Sequence, residues 1–217
     1  LRNLPKPQEG DVLFAIKGGA RENGWTDRRN LMAKWYGNNW ERTKAGKAFK
    51  DFLTNPAIIL YPVFRELIGN GMATSVFHMS GGAYRDKLAR IVANHGLYAE
   101  IGIEKGSVGL YAPDPCEQLF CSSFSLMDAH SKFAVGNEGF AAVRPGKVET
   151  ASGTFRSYGL EARPVSILEK GREGINNRQE PINNRPIEQV YVPKLSESKL
   201  KELTWSLDIK ENQNPVT

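Results

Sequence analysis

Several things are scarce in this sequence, and each scarcity closes off a class of function. Among 217 residues there are two cysteines, Cys116 and Cys121. Two thiols this close build no disulfide framework, and their spacing fits no zinc pattern, which would need two further ligands. Sparse cysteine suits a reducing cytoplasm. Long apolar runs are also missing. The longest, around Ala57–Tyr61, is far too short to span a bilayer, so no membrane partner is expected. The opening stretch LRNLPKPQEGD is polar and proline-bearing, unlike a secretory signal. It lacks an initiator Met, and the expectation is a processed chain or a piece of a longer one.

Histidine is scarce as well: only His78, His95 and His130 are present. No Ser/His/Asp arrangement is visible, and the acidic residues do not pair at a spacing useful for acid–base work. The net charge is +5 and the pI about 9.2, which raises the question of nucleic acid. The basic residues are scattered, however, over Arg28-Arg29, Lys44/Lys47/Lys50, Arg85/Lys87/Arg90, Lys170/Arg172 and Lys199–Lys201. They form no stripe interleaved with aromatics, and no RNA-binding or helix-turn-helix signature accompanies them. A solvated surface, or local sites for anionic small molecules, accounts for this charge more economically than a nucleic-acid partner.

What remains is an ordinary globular composition, 40% hydrophobic and 24% charged, long enough for a core without covalent staples. GDVLFAIKGGA (10–20) reads as a strand between glycine breakers. TDRRNLMAKWYGNNW (26–40) places Leu31, Met32 and Trp35 at helical spacing, with Thr26 as N-cap. Residues 39–54 suit a short helix plus loop. The pattern over 56–71 predicts a helix ending at Gly69, with Pro62 in its first turn. A strand at Ser75–Met79, a Gly-Gly turn and a helix over about 84–94 follow, then strands at 97–103 and 133–145. A helix remnant and a last strand at Pro164–Glu169 close this part. The alternation implies an α/β (α+β sandwich) fold, a mixed β-sheet with helices mainly on one face, over residues 10–171. Residues 1–9 read as a leader. Residues 172–217 read as an extension: INNRQEP is echoed by INNRPIE, and the Asn/Pro-rich composition cannot bury a core. A terminal helix is expected over 196–210.

Two stretches can carry chemistry. Ser80-Gly81-Gly82-Ala83 lies where a strand hands over to a helix, so backbone N–H groups and the positive helix end meet at a place without Cβ atoms. The plain alternative is a tight corner that binds nothing. GGARENGWTDRR (18–29) sets Arg21, Glu22, Asn23, Asp27, Arg28 and Arg29 between a strand and a helix, either as a positioned polar loop or as an exposed one. His78 adjoins the first turn and can face the site or the interior.

In order along the chain, these pieces resemble the C-terminal half of aminoimidazole ribonucleotide synthetase, the phosphoribosylformylglycinamidine cyclo-ligase family. Gly10, Asp11, Val12, Leu13, Asn23, Gly24, Trp25 and Arg29 match its G-D-V-L-I-G-L opening and H-S-N-G-[YF]-S-x-x-R loop. Leu53 and Pro56 match its L-x-x-P-T-R-I-Y lead-in. His78, Ser80, Gly81, Gly82, Tyr84, Asp86, Leu88 and Arg90 match H-[IL]-T-G-G-G-[FL]-x-[ED]-N-[IL]-x-R. APDPCEQL sits at the V-P-P-[IL]-F-x-L segment, and Phe133, Gly136 and Gly139 match Y-R-T-F-N-M-G-[IV]-G-M. Departures are Glu22 for the loop serine, Ala57-Ile58 for Thr-Arg, Ala83 for the third glycine and Ala134 for the asparagine after Phe133.

The resemblance implies an ATP-dependent ring closure of purine biosynthesis, converting formylglycinamidine ribonucleotide to aminoimidazole ribonucleotide. Glu22, Asn23, Gly24, Arg29, His78, Ser80, Gly81 and Gly82 would then line a substrate and phosphate cleft. ATP and Mg²⁺ would be held mainly by an N-terminal half of the same family, in the same protein or in a partner chain. A homodimer is a further possibility, and no metal is assigned to this chain. The competing expectation is a non-catalytic binding or scaffold module that keeps the fold.

Overall fold

The computed structural model describes residues 5–18, 24–54, 56–80, 95–99, 111, 117, 120, 123–124, 132–133 and 136–170. Its centre is a five-stranded sheet. The strands are β1 (Val12–Lys17), β2 (Ala73–His78), β3 (Leu97–Ala99), β4 (Asn137–Val143) and β5 (Ala162–Lys170), in the spatial order β2-β4-β1-β5-β3. Among the described residues four helices accompany it: α1 (Trp25–Tyr36), α2 (Lys44–Thr54), α3 (Tyr61–Gly69) and α4 (Val148–Ser157). Short 3-10 turns at Trp40–Arg42 and Pro145–Lys147 join them.

The α/β sandwich expected from the sequence is present, but two of its details differ. Among the described residues every strand pairing is antiparallel rather than mixed. The connectivity explains this. β1 and β2 run the same way but are separated by β4; β4 and β5 run the same way but are separated by β1. The helical crossovers from β1 to β2 and from β4 to β5 therefore each skip one strand, and the skipped place is filled by a strand of opposite direction.

The helices also cover both faces rather than mainly one. Along β1, Leu13 and Ala15 pack with Met32 and Trp35 of α1 and Phe49 of α2, whereas Phe14 and Ile16 pack with Val63 and Leu67 of α3 and Phe155 of α4. β4 divides likewise, Phe140 and Ala142 to one side, Ala141 and Val143 to the other. A strand apolar at successive positions has to be covered twice, and the runs VLFAI and FAAV have that form. On the α3/α4 side Phe14 stacks on Phe155 with centroids 5.7 Å apart. On the other side Trp35 stacks on Phe120 at 5.7 Å, and Phe49 leans on the same ring at 5.1 Å.

Most expected elements occur near their expected places. Pro62 does sit at the start of α3, where its missing N–H costs no helical hydrogen bond. α4 begins at Val148, earlier than the helix remnant read from 153 onward. Gly153 and the Ser/Thr residues lower its intrinsic propensity, and burial of Ala151, Thr154 and Phe155 compensates. The expected helix at 84–94 and the extension at 172–217 lie outside the described residues, as do Cys116, Cys121 and His130.

Candidate functional site

The sheet has one end where the two candidate stretches converge. Ile16 on β1 and His78 on β2 both pair with Gly139 of β4, from opposite sides. With strands about 4.8 Å apart, the C-terminal ends of β1 and β2 therefore leave the sheet roughly 10 Å from each other. Backbone bonds continue the arrangement past the strand ends. Gly18 N–H donates to the Gly136 carbonyl at 3.0 Å, and Met79 N–H donates to the Glu138 carbonyl at 2.7 Å. The start of β4 is thus held between the two segments. Gly18 lies so close to β4 that a Cβ there would come within 2.3 Å of the Glu138 Cβ.

Of the residues expected in the site, four are described. Gly24 is the N-cap of α1, in the left-handed region at φ 72°. A Cβ on it would meet the Phe133 ring at 2.4 Å and the Lys132 carbonyl at 2.9 Å, so both backbone conformation and space require glycine. Among the described residues no side chain caps this helix start. His78 closes β2 and is half-buried; Ser80 follows it and is also half-buried. The structure brings His78 and Ser80 to the same sheet end as Gly18. Arg29 is different: it is exposed on α1, with no ion pair among the described residues. Glu22, Asn23, Gly81 and Gly82 lie outside the described residues.

The neighbouring Arg28 takes the inward place that the sequence left open. Its side chain is fully buried and pairs with the equally buried Glu117, Nη2 to Oε1 at 3.2 Å. The guanidinium lies 4.5 Å from the Phe133 ring centroid and 5.7 Å from that of Phe120. The second oxygen of Glu117 accepts the Gly136 N–H at 3.0 Å. Next to it, Lys132 bridges both Asp27 oxygens at 3.2 Å and lies over the Phe124 ring. These partners are 89 and 105 positions apart, too distant for any local motif to reveal. The one available signal was the Arg28-Arg29 doublet, since consecutive helical residues point in different directions.

The flank toward β5 carries a second polar group. Asn137 reads the Tyr111 backbone twice, accepting its N–H at 3.1 Å and donating to its carbonyl at 3.3 Å. Arg163 lies 4.1 Å over the Tyr111 ring. Burial pushes the Tyr111 phenol above its ordinary pKa; nearby Arg163 opposes this and Glu161 adds to it, so the ring meets the guanidinium as a neutral phenol near neutral pH. Lys17 and Glu161 form an exposed pair at 2.8 Å beside it.

Among the described residues no three of His, Cys, Asp or Glu converge where they could hold a metal ion. Likewise, no described helix is long and apolar enough to cross a membrane. Among the described residues this end brings together Gly18, the glycine start of α1 and the half-buried His78 and Ser80.

No protein-family profile matches the chain. Phosphoribosylformylglycinamidine cyclo-ligase from Streptococcus agalactiae serotype Ia is 31% identical over 101 residues, 46% of this chain and 29% of that protein. The chain thus matches less than a third of the length of that relative. Among solved structures, PurL from Thermotoga maritima complexed with ATP is 14% identical with a TM-score of 0.44, covering 90% of this chain and 28% of that one. Thiamine-monophosphate kinase from Stenotrophomonas maltophilia is 12% identical with a TM-score of 0.47, covering 78% and 51%. At these scores the two structural likenesses carry no argument. The sequence match does: the chain is related to the cyclo-ligases of the aminoimidazole ribonucleotide synthetase superfamily.

Proposed function

We propose that this relative of the cyclo-ligases is the C-terminal substrate- and phosphate-binding part of an ATP-dependent cyclo-ligase of purine biosynthesis. One observation carries the reading. The two segments whose motifs resemble that family leave the sheet side by side, at the C-terminal ends of β1 and β2 around the start of β4. Two weak motifs that are far apart in sequence and adjacent in space support a shared ligand better than either does alone.

In this reading Glu22, Asn23, Gly24, Arg29, His78, Ser80, Gly81 and Gly82 line the cleft that takes formylglycinamidine ribonucleotide. Both reacting groups belong to one molecule, so the contribution of a binding half is to hold the amidine nitrogen against the formyl carbon in an orientation close to that of attack. ATP supplies the activation of the formamide oxygen. By the family resemblance, nucleotide and Mg²⁺ are assigned mainly to an N-terminal half of the family, in the same protein or in a partner chain.

Calorimetric titration with formylglycinamidine ribonucleotide tests the binding claim. Saturable binding that weakens with salt is expected, with ATP and Mg²⁺ alone giving little heat. Tight stoichiometric ATP binding together with no ribonucleotide binding would overturn the reading. Fusion to the N-terminal half of a streptococcal cyclo-ligase then tests turnover. A second reading, a non-catalytic module that keeps the fold, draws on Ala83 in place of the family's third glycine. Ribonucleotide binding without ring closure in the fusion would favour it.

A further inference from the structure

The buried Arg28–Glu117 pair has no evident value as a source of stability. Taking both charges out of water costs several kcal/mol per ion, and an apolar pair of similar volume is often as stable or more so. Its connections point elsewhere. Glu117 joins Arg28, in the first turn and a half of α1, to the Gly136 N–H at the start of β4. The Gly136 carbonyl in turn accepts the Gly18 N–H, and the Arg28 N–H donates to the Gly24 carbonyl. Gly18 and Gly24 are the described residues on either side of the stretch carrying Glu22 and Asn23. Both are therefore tied to Gly136, the residue before β4: Gly18 directly, and Gly24 through Arg28 and the Glu117 carboxylate. Phe133 completes the arrangement, with one ring filling the place of a Gly24 Cβ and lying 4.5 Å from the Arg28 guanidinium.

From this circuit we infer that Arg28 and Glu117 are positioning residues. They set the separation between Gly18 and Gly24 and the direction of the first turn of α1, at the end of the sheet where the ligand is proposed to bind. This rests on the reading that the ligand is the ribonucleotide proposed above. An apolar pair packs equally well but has neither the guanidinium donor that ties α1 to Glu117 nor the acceptor that fixes Gly136, which is why a charged pair stands there.

The test is the double variant R28M/E117M in the full chain, read by three measurements. The expected result is an unfolding temperature near that of the unmodified chain, with amide exchange at Gly24–Arg28 and Gly136 faster by roughly tenfold, and ribonucleotide affinity lower by about ten- to hundredfold. Amide exchange in the middle of β4 should not change. If the double variant keeps both slow exchange at those positions and full affinity, the pair is ordinary packing and the inference fails. R28K serves where the double variant does not fold. It keeps the charge but not the planar guanidinium and its reach to Glu117, and it too should speed exchange at Gly24–Arg28 and Gly136; unchanged exchange there overturns the inference. Should the unmodified chain not bind the ribonucleotide, the proposed function fails, while the exchange measurements still decide the positioning role.

Discussion

The two faces of the sheet are built from different materials. Toward α3 and α4, the packing is apolar: Phe14, Ile16, Val63, Leu67, Ala141, Val143, Ala151 and Phe155, all fully or almost fully buried. Toward α1 and α2 an equally buried aromatic cluster encloses two charges, Arg28 and Glu117. The first face needs only shape and volume. The second has hydrogen-bond geometry to satisfy, and it lies next to the end of the sheet where β1 and β2 deliver the candidate site. One face holds the sheet together, and the other also sets where particular backbone atoms sit.

Single substitutions can break this contrast. The largest effect is expected for Glu117→Leu, which leaves Arg28 buried without its carboxylate and should cost about 3–5 kcal/mol in denaturant unfolding. A loss under about 1 kcal/mol would mean that the pair is solvated in solution. On the opposite face, Leu67→Ala should cost about 2–5 kcal/mol through the cavity it leaves, yet ribonucleotide affinity, measured well below the unfolding midpoint, should not change. A fall in that affinity would show that the two faces are not separable. Gly24→Ala combines a left-handed backbone with a clash against Phe133. It should lose about 1–3 kcal/mol and loosen the start of α1, seen as faster amide exchange there.

The far end of the sheet supplies a smaller contrast. Asp11 is buried and accepts the Thr74 hydroxyl at 2.5 Å and the Gln8 N–H at 2.9 Å. Thr74→Val should cost about 1–2 kcal/mol and leave ligand binding unchanged, because Ala73 pairs with Val143 at the opposite end of β4 from Gly136. The smallest effect is expected at the surface. The Tyr158 hydroxyl donates to Glu66 at 2.8 Å, and this bond raises the phenol above its usual pKa. A raised pKa means that the contribution is complete below about pH 10 and is lost as pH climbs from there through the raised value. Tyr158→Phe should remove that pH dependence from unfolding measured between pH 8 and 11, and an unchanged profile would show that the contact adds nothing.

The legibility of these features in the sequence followed their range. Strand β1, helix α1 and helix α3 were readable because their signals are local: a glycine-bounded apolar run, apolar residues at helical spacing, and a proline in a first turn. The two-sided burial of β1 and β4 was present in VLFAI and FAAV, but an apolar run does not say which helix covers which side. α4 was placed too late because its residues have little helical preference of their own, and it forms by packing on Phe14 and the strands. In the site, Gly24 could be anticipated from its motif, whereas the choice between Arg28 and Arg29 as the inward residue could not. That choice depends on Glu117, a partner 89 positions away.

The sequence by itself determined the element types, the absence of long apolar runs, and the resemblance that pointed to a ribonucleotide ligase, because these depend on composition, periodicity and short motifs. Only the tertiary structure decided that β4 lies between β1 and β2, that the helices divide between two faces, and that Arg28 is sealed against Glu117 and Phe133. Strand order and charge pairing are properties of contacts between residues far apart in the chain. The physical reason is that a buried charge is tolerable only where folding brings its partner, and no local pattern records where that partner will come from.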